Sequence, residues 1–102
     1  MFKVTKQLRR TSLDIDFWHM DHLTQEARDH YKTQYVDTGH IISNDKVLSE
    51  GDYVLTIITV WDSQELCDAF VADPVIMNDV AAPQNAYNEA NGIVVTVTRE
   101  TV

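Results

Sequence analysis

Residues 53 to 61, Tyr-Val-Leu-Thr-Ile-Ile-Thr-Val-Trp, constrain the fold of this chain more than any other stretch. Six of the nine are β-branched and both ends are aromatic, the composition of a well-packed strand. Tyr53, Leu55, Ile57, Thr59 and Trp61 alternate with Val54, Thr56, Ile58 and Val60, so both faces are largely apolar. Residues 93 to 98, Ile-Val-Val-Thr-Val-Thr, read the same way and carry no charge on either side. Strands that are apolar on both sides are covered on both sides.

The other elements fall around these two. Phe2, Val4 and Leu8 alternate with Lys3, Thr5, Gln7 and Arg9, a half-buried strand in which Lys6 interrupts the apolar side once. Residues 14 to 35 lack Gly and Pro. Leu13, Phe17, Met20, Ala27 and Tyr31 fall on one helical face, Leu23 at its edge and Glu26 and Asp29 opposite, which predicts one amphipathic helix. A second strand runs from His40 to Leu48, with a bulge or turn at Asn44-Asp45. Glu50-Gly51-Asp52 joins it to residues 53 to 61 as an antiparallel hairpin.

Asp62 or Ser63 caps the next helix, with Glu65 in its first turn and Leu66, Ala69 and Phe70 on its apolar stripe. Asp73-Pro74 restarts it, Asp as cap and Pro at the first helical position. Pro83 breaks or kinks the restarted segment, and residues 84 to 91 form a last helical piece ended by Asn91-Gly92.

The order is β-α-β-β-α-β, the ferredoxin-like arrangement: an α+β fold with a four-stranded antiparallel sheet and both helices on one face. At 102 residues the chain makes a single domain, residues 1 to 102. It has helix enough for one face of the sheet only. The second apolar face predicts a homodimer packed sheet against sheet.

Charge and composition exclude several classes. The formal net charge is −8, and residues 37 to 102 hold only Lys46 and Arg99 against eleven acids. Nucleic-acid binding needs clustered cations, so no nucleic-acid partner is expected. An anionic membrane would repel the chain, and no apolar run reaches the roughly 20 residues of a span. No secretory signal opens the sequence, so a cytoplasmic location is expected. Cys67 is the only cysteine, which excludes an internal disulfide and a cysteine-based zinc cluster. Three glycines leave no dinucleotide fingerprint or phosphate loop, and no cofactor is expected.

With that element order and the run Trp61-Asp62-Ser63-Gln64-Glu65-Leu66, followed by Phe70 and Asp73-Pro74, the chain resembles the dimeric α+β barrel superfamily. Within it, the chain resembles the antibiotic-biosynthesis-monooxygenase-like group. That resemblance implies a homodimer and a ligand held between helices and sheet. It also implies activities such as cofactor-free oxygenation of polycyclic phenols, haem degradation, isomerisation or decarboxylation. Residue by residue, only Trp61 carries over. Quinone-forming members have an Asn where this chain has Ile57 and a Tyr where it has Cys67. Haem-degrading members place a His on the second helix, where residues 78 to 82 read Asn-Asp-Val-Ala-Ala. Their N-terminal strand Asn has only Gln7 as a counterpart.

The titratable candidates cluster early. His19, His22, Glu26 and His30 have helical spacings and would form one stripe beside the apolar face. The stripe reads either as acid/base or metal-ligating chemistry or as the polar flank of an amphipathic helix. No metal motif sharpens it, and no metal is assigned. His19, His22 and His40 are the catalytic candidates. Trp18, Tyr31, Trp61 and Phe70 are the candidates for a ligand pocket, with Tyr35 near them. Cys67 is expected to be buried and inert. Three readings stay open: a cofactor-independent enzyme acting on a small apolar or aromatic molecule, a non-catalytic binding module of the same shape, and an interaction protein whose dimerisation is the point.

Overall fold

Strand β1, Phe2–Arg9, lies at the centre of the sheet because both its neighbours reach it over their full length. In the computed structural model, which describes residues 1 to 102, the strand order is β2-β3-β1-β4 with every pairing antiparallel. Strand β2 is Ile41–Ser49, β3 is Val54–Trp61 and β4 is Val94–Thr101. Phe2 stands opposite both Trp61 and Thr101, and Leu8 opposite both Leu55 and Val95. The β2–β3 hairpin closes through Glu50, Gly51 and Asp52, three successive residues at positive φ. Gly51 has no Cβ to resist that backbone, whereas Glu50 and Asp52 adopt it against their preference. The expected bulge lies earlier in β2 than Asn44-Asp45: the register slips between Ile41 and Ser43, so Ile42 is the extra residue.

The first helical region departs from the expected single helix over residues 14 to 35. Residues 10 to 19 form no helix, and Met20–His22 is one turn of 3-10 helix. Helix α1, Gln25–Tyr31, starts only at Thr24, whose hydroxyl accepts from the Ala27 amide. A π-helical turn, Lys32–Val36, follows. The apolar spacing is helical throughout, but the cap at His19 starts only a single 3-10 turn, and Thr24 is the first cap of an α-helix. Further along, Ser63 rather than Asp62 caps α2, Gln64–Ala72, by accepting from the Leu66 amide. Asp73 caps the short α3, Pro74–Ile76, as its sequence suggested. A second π turn, Met77–Ala81, leads into α4, Ala82–Ala90. Pro83 has no amide hydrogen for the carbonyl of Asp79, and the widened turn sits immediately before it. The segment thus bends without ending. Gly92, at positive φ, terminates α4 beyond Asn91.

The helices lie over one face of the sheet. Phe2 and Trp61 on that face join Leu23, Ala27, Tyr35, Cys67, Ile76 and Val80 in one buried cluster. The molecule is 18 Å across its shortest axis, the thickness of one sheet and one helical layer. The other face carries no helix. There Val47 and Val94 are exposed, and Thr5, Thr56, Thr96 and Thr98 share the surface with Ile58 and Val60. That face is only partly apolar: threonine fills four of its positions, and Lys3, Arg9, Asp45 and Glu100 share its parity, Lys3 paired with Glu100. No helix is long and apolar enough to cross a membrane.

Candidate functional site

A cavity of about 370 Å³ opens between the helical layer and the sheet. That volume is within the range of small-molecule sites. Its floor is the helix-side face of the strands: Val4 and Lys6 from β1, Ile57, Thr59 and Trp61 from β3, Val97 and Arg99 from β4. Its roof comes from α2 (Phe70 and Cys67) and from the second π turn (Met77, Val80 and Ala81), with Tyr31 at the end of α1. The π turn therefore does more than accommodate Pro83: it presents three apolar side chains to the cavity. Thirteen of seventeen lining residues are hydrophobic.

The aromatic wall is ordered by edge contacts. The Tyr35 and Phe70 rings stand 4.8 Å apart and near-perpendicular, and Trp61 and Phe70 5.0 Å apart. Tyr31 meets Phe70 edge-on at 6.1 Å. Such arrangements place ring edges against ring faces and fix the orientation of each. Trp61, 3% exposed, is held from behind by buried Tyr35, so its placement in the wall is set by the core. Burial pushes the Tyr31 phenol up, opposed by a hydrogen bond with Asn44.

The four other lining residues are polar: Lys6, Thr59, Gln84 and Arg99. Burial lowers the Lys6 ammonium from its usual value. Burial also raises the Cys67 thiol, against a smaller downward pull from the Arg99 charge. Cys67 is therefore a 2% exposed wall residue whose thiolate form burial disfavours.

Behind the aromatic wall sits a second polar group, centred on a residue whose sequence context marks it only as a helix cap. One oxygen of Asp73 accepts from the Val75 amide at 2.9 Å. The other accepts from the Tyr35 hydroxyl and lies 2.6 Å from His30 Nε2. These bonds hold Asp73 down to about 2, with the His30 bond the largest cause and the Tyr35 bond next. Tyr35 is pushed up to about 12, first by burial and then by the Asp73 carboxylate. The cluster ties the α1 region to the start of α3. None of the three lines the cavity.

The candidate residues divide sharply. Tyr31, Trp61 and Phe70 line the cavity. Trp18 does not: it lies on the irregular segment before α1 and packs against the core from outside, 6.1 Å from the His22 ring. The catalytic candidates are elsewhere too. His19 caps the 3-10 turn, its Nδ1 accepting from the Asp21 amide. His22 Nδ1 accepts from the His19 amide, and its ring lies against Tyr87. His40 stands beside Tyr35, and His30 is occupied by Asp73. The stripe of His19, His22, Glu26 and His30 does not form, because the first two precede α1. No three His, Cys, Asp or Glu side chains gather closely enough to hold a metal ion. The residues that sequence reasoning missed are Lys6 and Arg99. Both were signalled by their parity on strands whose other members on that face, Val4, Leu8 and Val97, are apolar.

No family model and no curated protein sequence matches the chain. Solved structures do. A dimeric ferredoxin-like protein from an uncultured marine organism superposes with a TM-score of 0.66 at 14% identity, covering 100% of this chain and 94% of that one. A variant of SnoaB, a cofactor-independent oxygenase from Streptomyces nogalater, gives 0.64 at 10% identity, covering 99% and 91%. An antibiotic biosynthesis monooxygenase gives 0.53 at 17% identity, covering 100% and 98%. At these identities the likeness is one of backbone. The chain has the ferredoxin-like α+β fold seen in that dimeric ferredoxin-like protein and in structures described as antibiotic biosynthesis monooxygenases.

Proposed function

We propose that this chain binds a small apolar or aromatic molecule in the cavity between helices and sheet, and that it does so as a homodimer. The observation that carries the reading is the cavity itself: about 370 Å³, hydrophobic on thirteen of seventeen lining residues, with Trp61, Phe70 and Tyr31 in its wall. Apolar pockets with a few polar groups are the usual form of small-molecule sites. The dimer is supported by the helix-free face, where Val47 and Val94 are more than half exposed, and by the dimeric description of the marine relative in fold. Native mass spectrometry tests both parts. The expected species has twice the 11.7 kDa of one chain and retains a small molecule under gentle conditions. A monomer that stays empty with naphthol in excess overturns the reading.

A second reading is cofactor-independent oxygenation of the bound aromatic, favoured by the fold shared with SnoaB and by Trp61 in the wall. In such a reaction the substrate supplies the electrons. One oxygen atom of O2 enters the ring as a quinone carbonyl, and the other leaves as water with two substrate hydrogens. Oxygen uptake with naphthol and no added cofactor, lost in Trp61→Ala, supports it. Binding without uptake leaves the chain a binding module.

A further inference from the structure

We propose that the cavity selects apolar molecules that carry an acidic group, and that Lys6 and Arg99 form the seat for that group. This rests on the binding reading above and names the ligand class for the same site.

The charge of the cavity is inverted relative to the chain. The protein carries 16 Asp and Glu against 8 Lys and Arg. None of those acids lines the cavity, while two of the cations do. Lys6 and Arg99 take part in none of the six ion pairs, and neither side chain donates a hydrogen bond within the protein. By contrast, Lys3, Arg9, Arg28 and Lys32 all have carboxylate partners, and Arg10 donates to the carbonyls of Asp52 and Ile15. An unpaired cation is costly on an apolar surface and is normally paired or displaced to solvent. Here one sits mid-strand on the central strand of the sheet, half-buried among Val4, Ile57 and Val97.

The strand register brings the two heads to one place. Lys6 pairs with Val97 and Val4 with Arg99, so Lys6 and Arg99 are diagonal neighbours on the same face of adjacent strands. Such positions lie about 7–8 Å apart, a span two long cationic side chains close onto a single carboxylate or sulfonate. With Phe70 on the roof and Trp61 on the β3 part of the floor, the order of recognition is ring against Phe70 and Trp61, acid toward β1 and β4. Arg99 adds a planar donor fork and Lys6 a compact charge, so the seat holds the anion from two directions. Lys6 is half-buried and Arg99 exposed, and the depression of the Lys6 ammonium by burial and the pull of the Arg99 charge on Cys67 agree with Lys6 lying within the cavity and Arg99 at its open side.

The test uses two dyes with one ring system. Anilinonaphthalene sulfonate carries an acid and N-phenylnaphthylamine does not. Both brighten in apolar sites, and both are titrated against the full chain. The wild type is expected to bind the sulfonate at least about tenfold tighter than the neutral dye, the margin of one charge-assisted hydrogen bond. Lys6→Met and Arg99→Gln each reduce that ratio, and the double variant brings it near one, while affinity for the neutral dye persists and reports an intact cavity. Lys46→Gln removes an unpaired cation outside the cavity and leaves the ratio unchanged. Val97→Trp fills the space and removes both dyes together. Equal affinities in the wild type, or a ratio that survives the double variant, overturn the acidic-ligand proposal and leave the apolar-cavity reading standing. Failure of both dyes to bind the wild type overturns the cavity reading and this proposal with it.

Discussion

Asp73 and the Lys6–Arg99 pair both lie on the helix-covered side of the sheet, and they differ in whether the protein satisfies them. Asp73 is saturated: one oxygen takes the Val75 amide, and the other takes the Tyr35 hydroxyl and the His30 imidazole. Lys6 and Arg99 have no internal partner at all. A polar group whose partners are all supplied by the fold stabilises the fold. A polar group left open in a cavity costs stability, and its remaining valence is directed at whatever enters. The three groups around Asp73 have the residue types of an acid/base site, yet their mutual satisfaction makes them a fastener between the α1 region and α3. The pair with the simpler chemistry faces the space.

The largest effect that could break this contrast is at Asp73. Asp73→Ala removes the cap of α3 and both bonds from the α1 side, and the expected loss is about 3 kcal/mol. A chain of this size then melts roughly 15 °C lower, measured by circular dichroism. A shift of only a degree or two would show that the cluster does not fasten the helices.

Next in size is Tyr35→Phe, expected to cost about 1 kcal/mol near neutral pH. Its pH dependence is more diagnostic. Tyr35 is raised in the folded state from 10.0 to about 12, so its contribution is complete below pH 10 and is lost as pH climbs through that interval. Asp73 is lowered from 3.8 to about 2, so its contribution is complete above pH 3.8 and is lost as pH falls toward 2. Denaturant melts across pH should show both limbs in the wild type. Tyr35→Phe should weaken the alkaline limb, leaving the part contributed by Tyr31 and Cys67, both raised by burial, and keep a weaker acid one.

The smallest effect has the opposite sign. Lys6→Met replaces an unpaired, half-buried cation by an apolar side chain of similar length, and stability should rise by up to about 1 kcal/mol. A fall of that size would mean that Lys6 has a structural partner and that the two polar groups do not differ in satisfaction. The trade of stability against an open charge is the pattern expected of a binding site.

Much of the architecture was legible before any coordinates. The βαββαβ order, the hairpin through Glu50-Gly51-Asp52, the Asp73-Pro74 restart and the Asn91-Gly92 stop rest on local backbone chemistry, and the structure has all of them where the residues put them. The first helix was overextended because apolar spacing continues through residues 13 to 23 while capping does not. Of the pocket candidates, Tyr31, Trp61 and Phe70 line the cavity, since each sits on an element whose facing was fixed by alternation or helical period. Trp18, His19 and His22 were placed on that overextended helix, whereas they precede α1. Once residues 10 to 19 leave the helix, His19 and His22 become caps of a single turn, and the stripe has no axis to lie along.

What the sequence determined by itself was therefore mostly short in range: periods of two, most caps and turns, and element order, because these depend largely on neighbours within about four residues. Only the tertiary structure decided which polar groups are satisfied. Asp73 meets Tyr35 and His30 across 38 and 43 residues, and the pairing of β1 with β4 sets Lys6 diagonal to Arg99, with nothing in either local sequence to distinguish a fastener from an open seat. Satisfaction is a property of three-dimensional neighbours, and it separates Asp73, whose partners hold the α1 region to α3, from Lys6 and Arg99, which face the cavity.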